Sequence, residues 1–449
     1  MQVSVEMLND LERRVTVQVP AERVAKEIQD RLVSMSRRVK VDGFRPGKVP
    51  LKLIRRMYGD QVRYEAVSEL MEHSLRDALV QEKLNPLSGP RIEPKALEEG
   101  RDLEYSATFE VMPEFEPSGF ENIRVERPVA EITEQDVDHM IETLRRQRAV
   151  WSAVERPARD GDRVRFSFEG KIDGQDFGGN KGENTQVVLD GASLLPDFEA
   201  QLIGLNAGAE IEFDLTFPND YQARDIAGKT AHFQVKLHGI EEAHLPEVDD
   251  TFAENFDVKE GGVPALRQAL RTNMERELRE GIQTFVKRQV MQGLLEVNPI
   301  PLPRALVEAE IEQLARQFHF HANDNDEKTQ EKIKQLKIQV FEAEARRRVA
   351  LGLLVSKLAA SQGIKVDENR VKARLDAFAA IHEEPAEVLR WYQETPNALN
   401  DVRALVLEEQ VVDWVLERVQ VTEKASTFAE ITTLGRQPAI PMIAQEASA

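Results

Sequence analysis

The chain has 449 residues, with 79 acidic against 59 basic side chains for a net charge of −20, and no cysteine. That balance excludes disulfide scaffolds, thiolate metal sites and cysteine nucleophiles, and it repels the chain as a whole from nucleic acid. The opening MQVSVEMLND has neither a basic nor an apolar signal region, and apolar stretches such as Val349–Val355 are far shorter than the ~20 residues that span a bilayer. Length predicts two to four domains in a soluble, cytoplasmic protein.

Val3, Val5 and Met7, then Val15, Val17 and Val19, alternate as half-buried strands do. Pro20 opens a helical pattern through Val24, Ile28, Leu32, Met35 and Val39. Pro50 starts a short helix expected to stop near Gly59. A longer one runs to Asn85–Pro86, and Leu103, Tyr105, Ala107, Phe109 and Val111 alternate as a returning strand. Residues 1–117 read as an α+β domain.

Charge within this domain is uneven. Between Arg31 and Tyr58 stand nine basic residues and one acid, Asp42, a local charge of +8. They bracket the loop VDGFRPGKVP at Val41–Pro50, which sets Phe44 between two glycines beside a proline. An aromatic among cations in a loop points to a partner with anionic groups and an apolar recess. Nucleotide binding is rejected, because Gly43 and Gly47 are four apart and Val49 stands where a phosphate loop needs Ser or Thr.

Residues 118–159 read as a linker and connecting helix, with Thr133 as N-cap and Val137, Ile141 and Leu144 on one face. From 160 to 245 short alternating strands recur, with a hairpin turn at Asp173–Gly174 and a short helix at Pro196–Leu202, predicting a small antiparallel half-barrel. Residues 246–425 turn to long helices, including Val263–Val297 and stretches near Glu331–Ser361, Asp367–Ile381 and Pro396–Val419, broken by NPIPLP at Asn298–Pro303. Residues 426–449 show no periodicity and read as a flexible tail.

Chemistry-bearing constellations are few. His319 and His321 are two apart and no HExxH spacing occurs, so neither a metal nor a cofactor is expected; nor is a GxSxG nucleophile elbow present. The middle segment is instead rich in aromatics: Phe166, Phe168, Phe177, Phe198, Phe213, Phe217, Tyr221 and Phe233, about half of them expected in the core.

The strings RVRFSFEGKIDGQDF, LLPDFEAQLIGLNAG, FPNDYQ and AHFQVKLHGIEE resemble an FKBP-type peptidyl-prolyl isomerase domain. The resemblance implies an aromatic pocket walled by Phe168, Phe177, Leu194, Leu195, Phe198, Tyr221 and Phe233. This chain departs from the family pattern in having Asp197 where glycine is usual and Gly178 where an aspartate often stands, which implies modest isomerase activity. GFRPGKVP resembles the docking signature of bacterial trigger factors, and the order of domains is similar over essentially the whole chain.

The trigger factor resemblance implies a multidomain α+β protein: an α+β ribosome-binding domain, an FKBP-like half-barrel and an all-α C-terminal domain forming arms. It implies docking on the large ribosomal subunit near the tunnel exit, on a ribosomal protein and nearby RNA, through Gly43, Phe44, Arg45, Pro46, Gly47, Lys48 and Pro50. Nascent and unfolded polypeptides are the implied clients, a homodimer the free state to look for, and no membrane partner is expected. Two other readings stay open on the residues alone. One is a free isomerase with dimerising helices; the other is an RNA-binding protein, which the net charge disfavours.

Overall fold

The computed structural model describes residues 1–39, 41, 44, 49–96, 98, 100–191, 193–219, 221, 223, 225–256, 258, 260–318, 327–380, 382 and 384–436. β1 (Gln2–Met7) and β2 (Glu12–Val19) form an antiparallel hairpin, followed by helix α1 (Ala21–Arg38). Pro20 holds the extended backbone that precedes α1, and Arg37 and Arg38 lie in its last turn, where cations suit the helix dipole. Helix α2 (Leu51–Gln81) leads to β3 (Arg91–Ala96) and β4 (Leu103–Glu110), giving a sheet in the order β1-β2-β4-β3.

One face of this sheet packs on α2. Val15, Val17, Val19, Leu103, Tyr105, Ala107 and Phe109 meet Leu70, Leu75 and Ala78 in a common core. The buried Tyr105 hydroxyl donates to the Met71 carbonyl at 2.9 Å and lies 2.8 Å from Ser74 Oγ, so its polar tip is satisfied. Burial pushes this phenol above its ordinary pKa.

The helix expected to stop near Gly59 does not stop; α2 runs unbroken for 31 residues. A glycine inside a helix costs about 1 kcal/mol relative to alanine. Ile54 and Val62, buried on either side of it, offset that cost.

β5 (Arg124–Val129) and α3 (Glu134–Gln147) come next, and α3 is capped reciprocally by Thr133 and Asp136. Then β6 (Val150–Ala153), β7 (Arg163–Lys171), β8 (Lys181–Val188), α4 (Pro196–Leu202), β9 (Glu210–Thr216) and β10 (Thr230–His244) build the half-barrel. Its order is β6-β10-β7-β8, with β9 also paired to β10. The 15-residue β10 is long enough to serve three partners: β9 pairs with its residues 230–236 and β6 with 241–244, while β7 pairs along 232–241 with a register shift at Leu237/Gly239. Asp173 (φ 49°) and Gly174 (φ 78°) are both left-handed, as a tight hairpin turn requires.

The remainder is helical: α5 (Asp250–Glu254), α6 (Gly262–Val297), α7 (Arg304–Gln317), α8 (Glu327–Gln362), α9 (Glu368–Ala379), α10 (Pro385–Glu394) and α11 (Pro396–Leu416). β11 (Gln420–Ala425) then pairs in parallel with β5, and α12 (Phe428–Arg436) follows. The expectation of a featureless tail from 426 is therefore wrong as far as Arg436; residues 437–449 lie outside the described residues. α12 forms because Thr427 and Glu430 cap it reciprocally and Ile431 is fully buried.

The chain divides into two compact units. One comprises Met1–Val129, Gly281–Ala425 and Thr433–Ala449; the other comprises Ala130–Glu280 and Ser426–Thr432. Within the first, Ile123 and Val125 are buried among Val290, Leu294, Leu358, Val411 and Val415. Glu110, at the end of β4, accepts from the backbone N–H groups of Arg304 and Ala305 at 3.1 and 2.9 Å, capping α7 from a distant point in sequence.

Candidate functional site

The half-barrel curls around α4 and carries a continuous cluster of rings. Phe166 and Phe168 are two apart on β7 and so share a face, while Phe213 projects from β9 and Phe233 from β10. Pro196 starts α4, and Phe198 follows in its first turn, with ring centroids 5.3 Å from Phe233, 5.2 Å from Phe213 and 6.1 Å from Phe168. Phe177 lies 6.3 Å from Phe233 and 5.9 Å from Phe217, whose own ring is 4.8 Å from Tyr221. Most of these pairs meet edge-on or tilted, as ring quadrupoles favour.

All seven residues named in sequence as pocket walls fall in this one cluster, at two depths. Phe198 and Phe233 are only 6% and 5% exposed, while Phe168, Phe177, Leu194, Leu195 and Tyr221 are half-buried around them. Phe198 and Phe233 thus make a buried aromatic floor, and the five half-buried residues surround it. Phe213 and Phe217 also touch it, although in sequence they belong only to a general aromatic enrichment; the alternation EIEFDLTF already sets them on one strand face.

Two glycines make room for the rings, one for the floor and one for the rim. A Cβ on Gly170 would stand 2.5 Å from Phe233 Cε1, and one on Gly182 would stand 2.4 Å from Phe168 Cε1. The loop carrying Leu194 and Leu195 is tied down by Glu199, which is buried and accepts the Gly191 N–H with both carboxylate oxygens at 3.0 Å. A Cβ at Gly178 would meet nothing within 4 Å, so packing does not force the departure at that position; Asp197 is exposed in the first turn of α4.

The domain's base is locked by ions. Asp162 is buried, accepts from Arg156 at 2.6 and 2.9 Å and from the Arg159 N–H at 2.8 Å. Burial raises its pKa, but the Arg156 and Arg159 hydrogen bonds outweigh that and hold it below the ordinary carboxylate value.

The basic loop is a second candidate site. Its ends are gathered by a small cluster in which Leu32 of α1 and Ile54 and Val62 of α2 bury Val49, with Val39 and Val41 packed against them. Phe44 donates its N–H to the Val41 carbonyl at 3.0 Å, in a turn that leaves the residue 42% exposed; Pro50 is the exposed N-cap of α2. Arg37, Arg38, Lys52, Arg55 and Arg56 are exposed on the flanking helices. The other named docking residues, Gly43, Arg45, Pro46, Gly47 and Lys48, lie outside the described residues.

Comparison with known proteins places three family models along the chain: bacterial trigger factor protein over residues 1–144, FKBP-type peptidyl-prolyl cis-trans isomerase over 154–238, and the trigger factor C-terminus over 262–417. A trigger factor of Thioalkalivibrio sulfidiphilus is 48% identical over 431 residues, covering 96% of this chain and 98% of its own. One from Ectopseudomonas mendocina is 45% identical over 438 residues, covering 98% and 99%. A solved trigger factor chaperone, described for promiscuous substrate recognition in folding and assembly, aligns over 93% of this chain and 99% of its own at a TM-score of 0.50 and 18% identity. The chain belongs to the bacterial trigger factor family of chaperones and carries an FKBP-type peptidyl-prolyl isomerase domain at its centre.

Proposed function

We propose that this protein works at the large ribosomal subunit, near the tunnel exit, holding emerging polypeptides open, isomerising their prolyl bonds and assisting their folding and export. Residues 1–117 dock, 160–245 isomerise and 246–425 hold clients. Docking runs through Gly43–Pro50, with Arg45 and Lys48 meeting anionic groups of a ribosomal protein or nearby RNA while Phe44 and Pro46 fill an apolar recess. The reading is of a cytoplasmic protein, partly ribosome-bound; among the described residues no helix is long and apolar enough to cross a membrane. A homodimer off the ribosome is the further state to look for by sedimentation.

The observation that carries the isomerase role is the two-tier aromatic bowl, with Phe198 and Phe233 as floor and Phe168, Phe177, Leu194, Leu195 and Tyr221 as rim. Rotation about X–Pro must cross a barrier of about 18–20 kcal/mol, because the planar amide is resonance-stabilised. Twisting removes that resonance and the charge separation that goes with it. An apolar, water-poor bowl therefore favours the twisted amide over the planar one, which is the difference catalysis requires. Uncatalysed exchange takes tens to hundreds of seconds, slow enough to limit folding.

The test is one preparation assayed twice. Phe44→Ala/Arg45→Ala/Pro46→Ala should no longer pellet with ribosomes, yet should turn over an X-Pro peptide at the wild-type rate. A variant that pellets normally removes the docking assignment. One that loses isomerase activity shows that loop and bowl are not independent sites.

A further inference from the structure

The two edges of the first sheet are built differently. β3 carries Arg91, Glu93, Pro94 and Lys95, the charges and proline with which natural edge strands prevent further pairing. β1 reads QVSVEM, with one charge and no proline, and it is the opposite edge.

The register says which of its groups are free. Leu8 donates its N–H to the Glu12 carbonyl, and positions two apart repeat that geometry, so Glu6, Ser4 and Gln2 turn their backbone groups toward Arg14, Thr16 and Gln18. Val3, Val5 and Met7 therefore aim their N–H and C=O groups outward, where no strand of the described residues lies. On the other strand Val111 donates to the Leu11 carbonyl, which puts the β2–β4 bonds on the odd positions of β2 and agrees with this assignment.

The same three residues carry the edge's apolar side chains. Val3 and Val5 lie across from Val17 and Val15, on the core face of the sheet. Val3 is half-buried against that core, Val5 is 39% exposed and Met7 is 69% exposed. The core thus continues outward as an uncovered apolar strip beside an open row of main-chain donors and acceptors.

We propose that β1 is a binding edge for unfolded polypeptide, which adds to the sheet as a further strand. Extended chain is the occupant that fits: main-chain hydrogen bonds are indifferent to sequence, while the strip selects apolar residues at alternate positions. A nearly neutral edge neither repels nor selects charge. The inference rests on the chaperone reading and adds to it a mode of recognition and a surface outside the helical segment.

Val5→Pro is the decisive substitution. It removes an outward N–H and leaves the β1–β2 ladder untouched, a place where edge strands tolerate proline. Ser4→Pro would break the ladder itself and is not the test. The probe is a synthetic peptide with alternating Val and Ser, measured by amide exchange and by titration on the full chain. Binding should protect the Val3, Val5 and Met7 amides beyond the unliganded state, and Val5→Pro should weaken affinity about three- to tenfold, as for one or two lost hydrogen bonds. X-Pro turnover should stay unchanged.

Wild type that binds the peptide with those three amides still exchanging freely overturns the edge alone. Wild type that binds no unfolded peptide or protein overturns the chaperone reading with it. Protection that rises with protein concentration in the absence of peptide assigns the edge to a second copy of this chain, and that too overturns the proposal.

Discussion

The two proposed sites, the aromatic bowl and the basic loop, are built in opposite ways. The bowl's floor is also the core of its domain: Phe198 and Phe233 are buried and touch most of the other rings, so the proposed binding and the stability rest on the same atoms. Phe44 lies in a turn whose ends are held by Val39, Val41 and Val49, and it is 42% exposed and outside the cluster they form. A site made of core is rigid and costly to alter. A site mounted on a core can change without the fold noticing.

The strongest way to sharpen that contrast is Phe233→Ala. Truncating a buried phenylalanine costs about 3–5 kcal/mol, so the central domain should melt earlier and X-Pro turnover should be lost together. Tyr221→Ala, at the half-buried rim, should lower turnover with much less change in melting. Equal stability losses at the two positions would break the distinction between floor and rim.

Next in size is the loop. Phe44→Ala/Arg45→Ala/Pro46→Ala should weaken ribosome association about thirtyfold or more, the scale of an anchor residue lost from an interface. Melting should not move, as read by calorimetry. Wild-type association should also weaken with salt, since the screening length falls from about 10 Å at 0.1 M to about 3 Å at 1 M. Salt-independent pelleting would deny the cations their part.

Gly170→Ala probes the bowl without substituting any of its walls. The new Cβ would stand 2.5 Å from Phe233 Cε1, and the ring must yield. Overpacking of this kind costs about 1–3 kcal/mol, and displacing the floor should lower turnover at least about tenfold. Turnover that survives with the ring displaced, as judged by its NMR shifts, would show that the floor's position does not matter.

The smallest effect is expected at Asp162. Its pKa is held below the ordinary value, so its contribution is complete above about pH 4, the unfolded value, and is lost as pH falls through the lower folded value. Asp162→Asn should cost about 1 kcal/mol at neutral pH and flatten the acid limb of the stability curve. An unchanged acid limb would assign that limb to other carboxylates.

Much of this can be read from the chain because its signals are local. The helix Pro196–Leu202 is legible from its opening proline, the hairpin at 173–174 from Asp-Gly, and the α3 cap from Thr133. The seven pocket walls come from resemblance; alternation alone can set them on strand faces but cannot make them converge. What escapes is non-local or faint. Nothing near Arg124 announces a parallel partner at Gln420, and nothing near Arg304 announces a cap from Glu110. The helix α12 does leave a signal, the T-x-x-E of Thr427 and Glu430, but its nine residues are too few to show a period.

The parallel pair of β5 and β11 has a consequence for how this protein is made. Arg124 pairs with Gln420, 296 positions later. At about 5–20 residues per second, a ribosome needs roughly 15–60 s to travel that distance. Throughout that interval Ile123 and Val125 lack Val411, Val412 and Val415, the residues that finally bury them. A protein that attends growing chains is thus, during its own synthesis, a growing chain with an unfinished strand, and the ribosome that translates it must reach Gln420 before β5 can gain its partner.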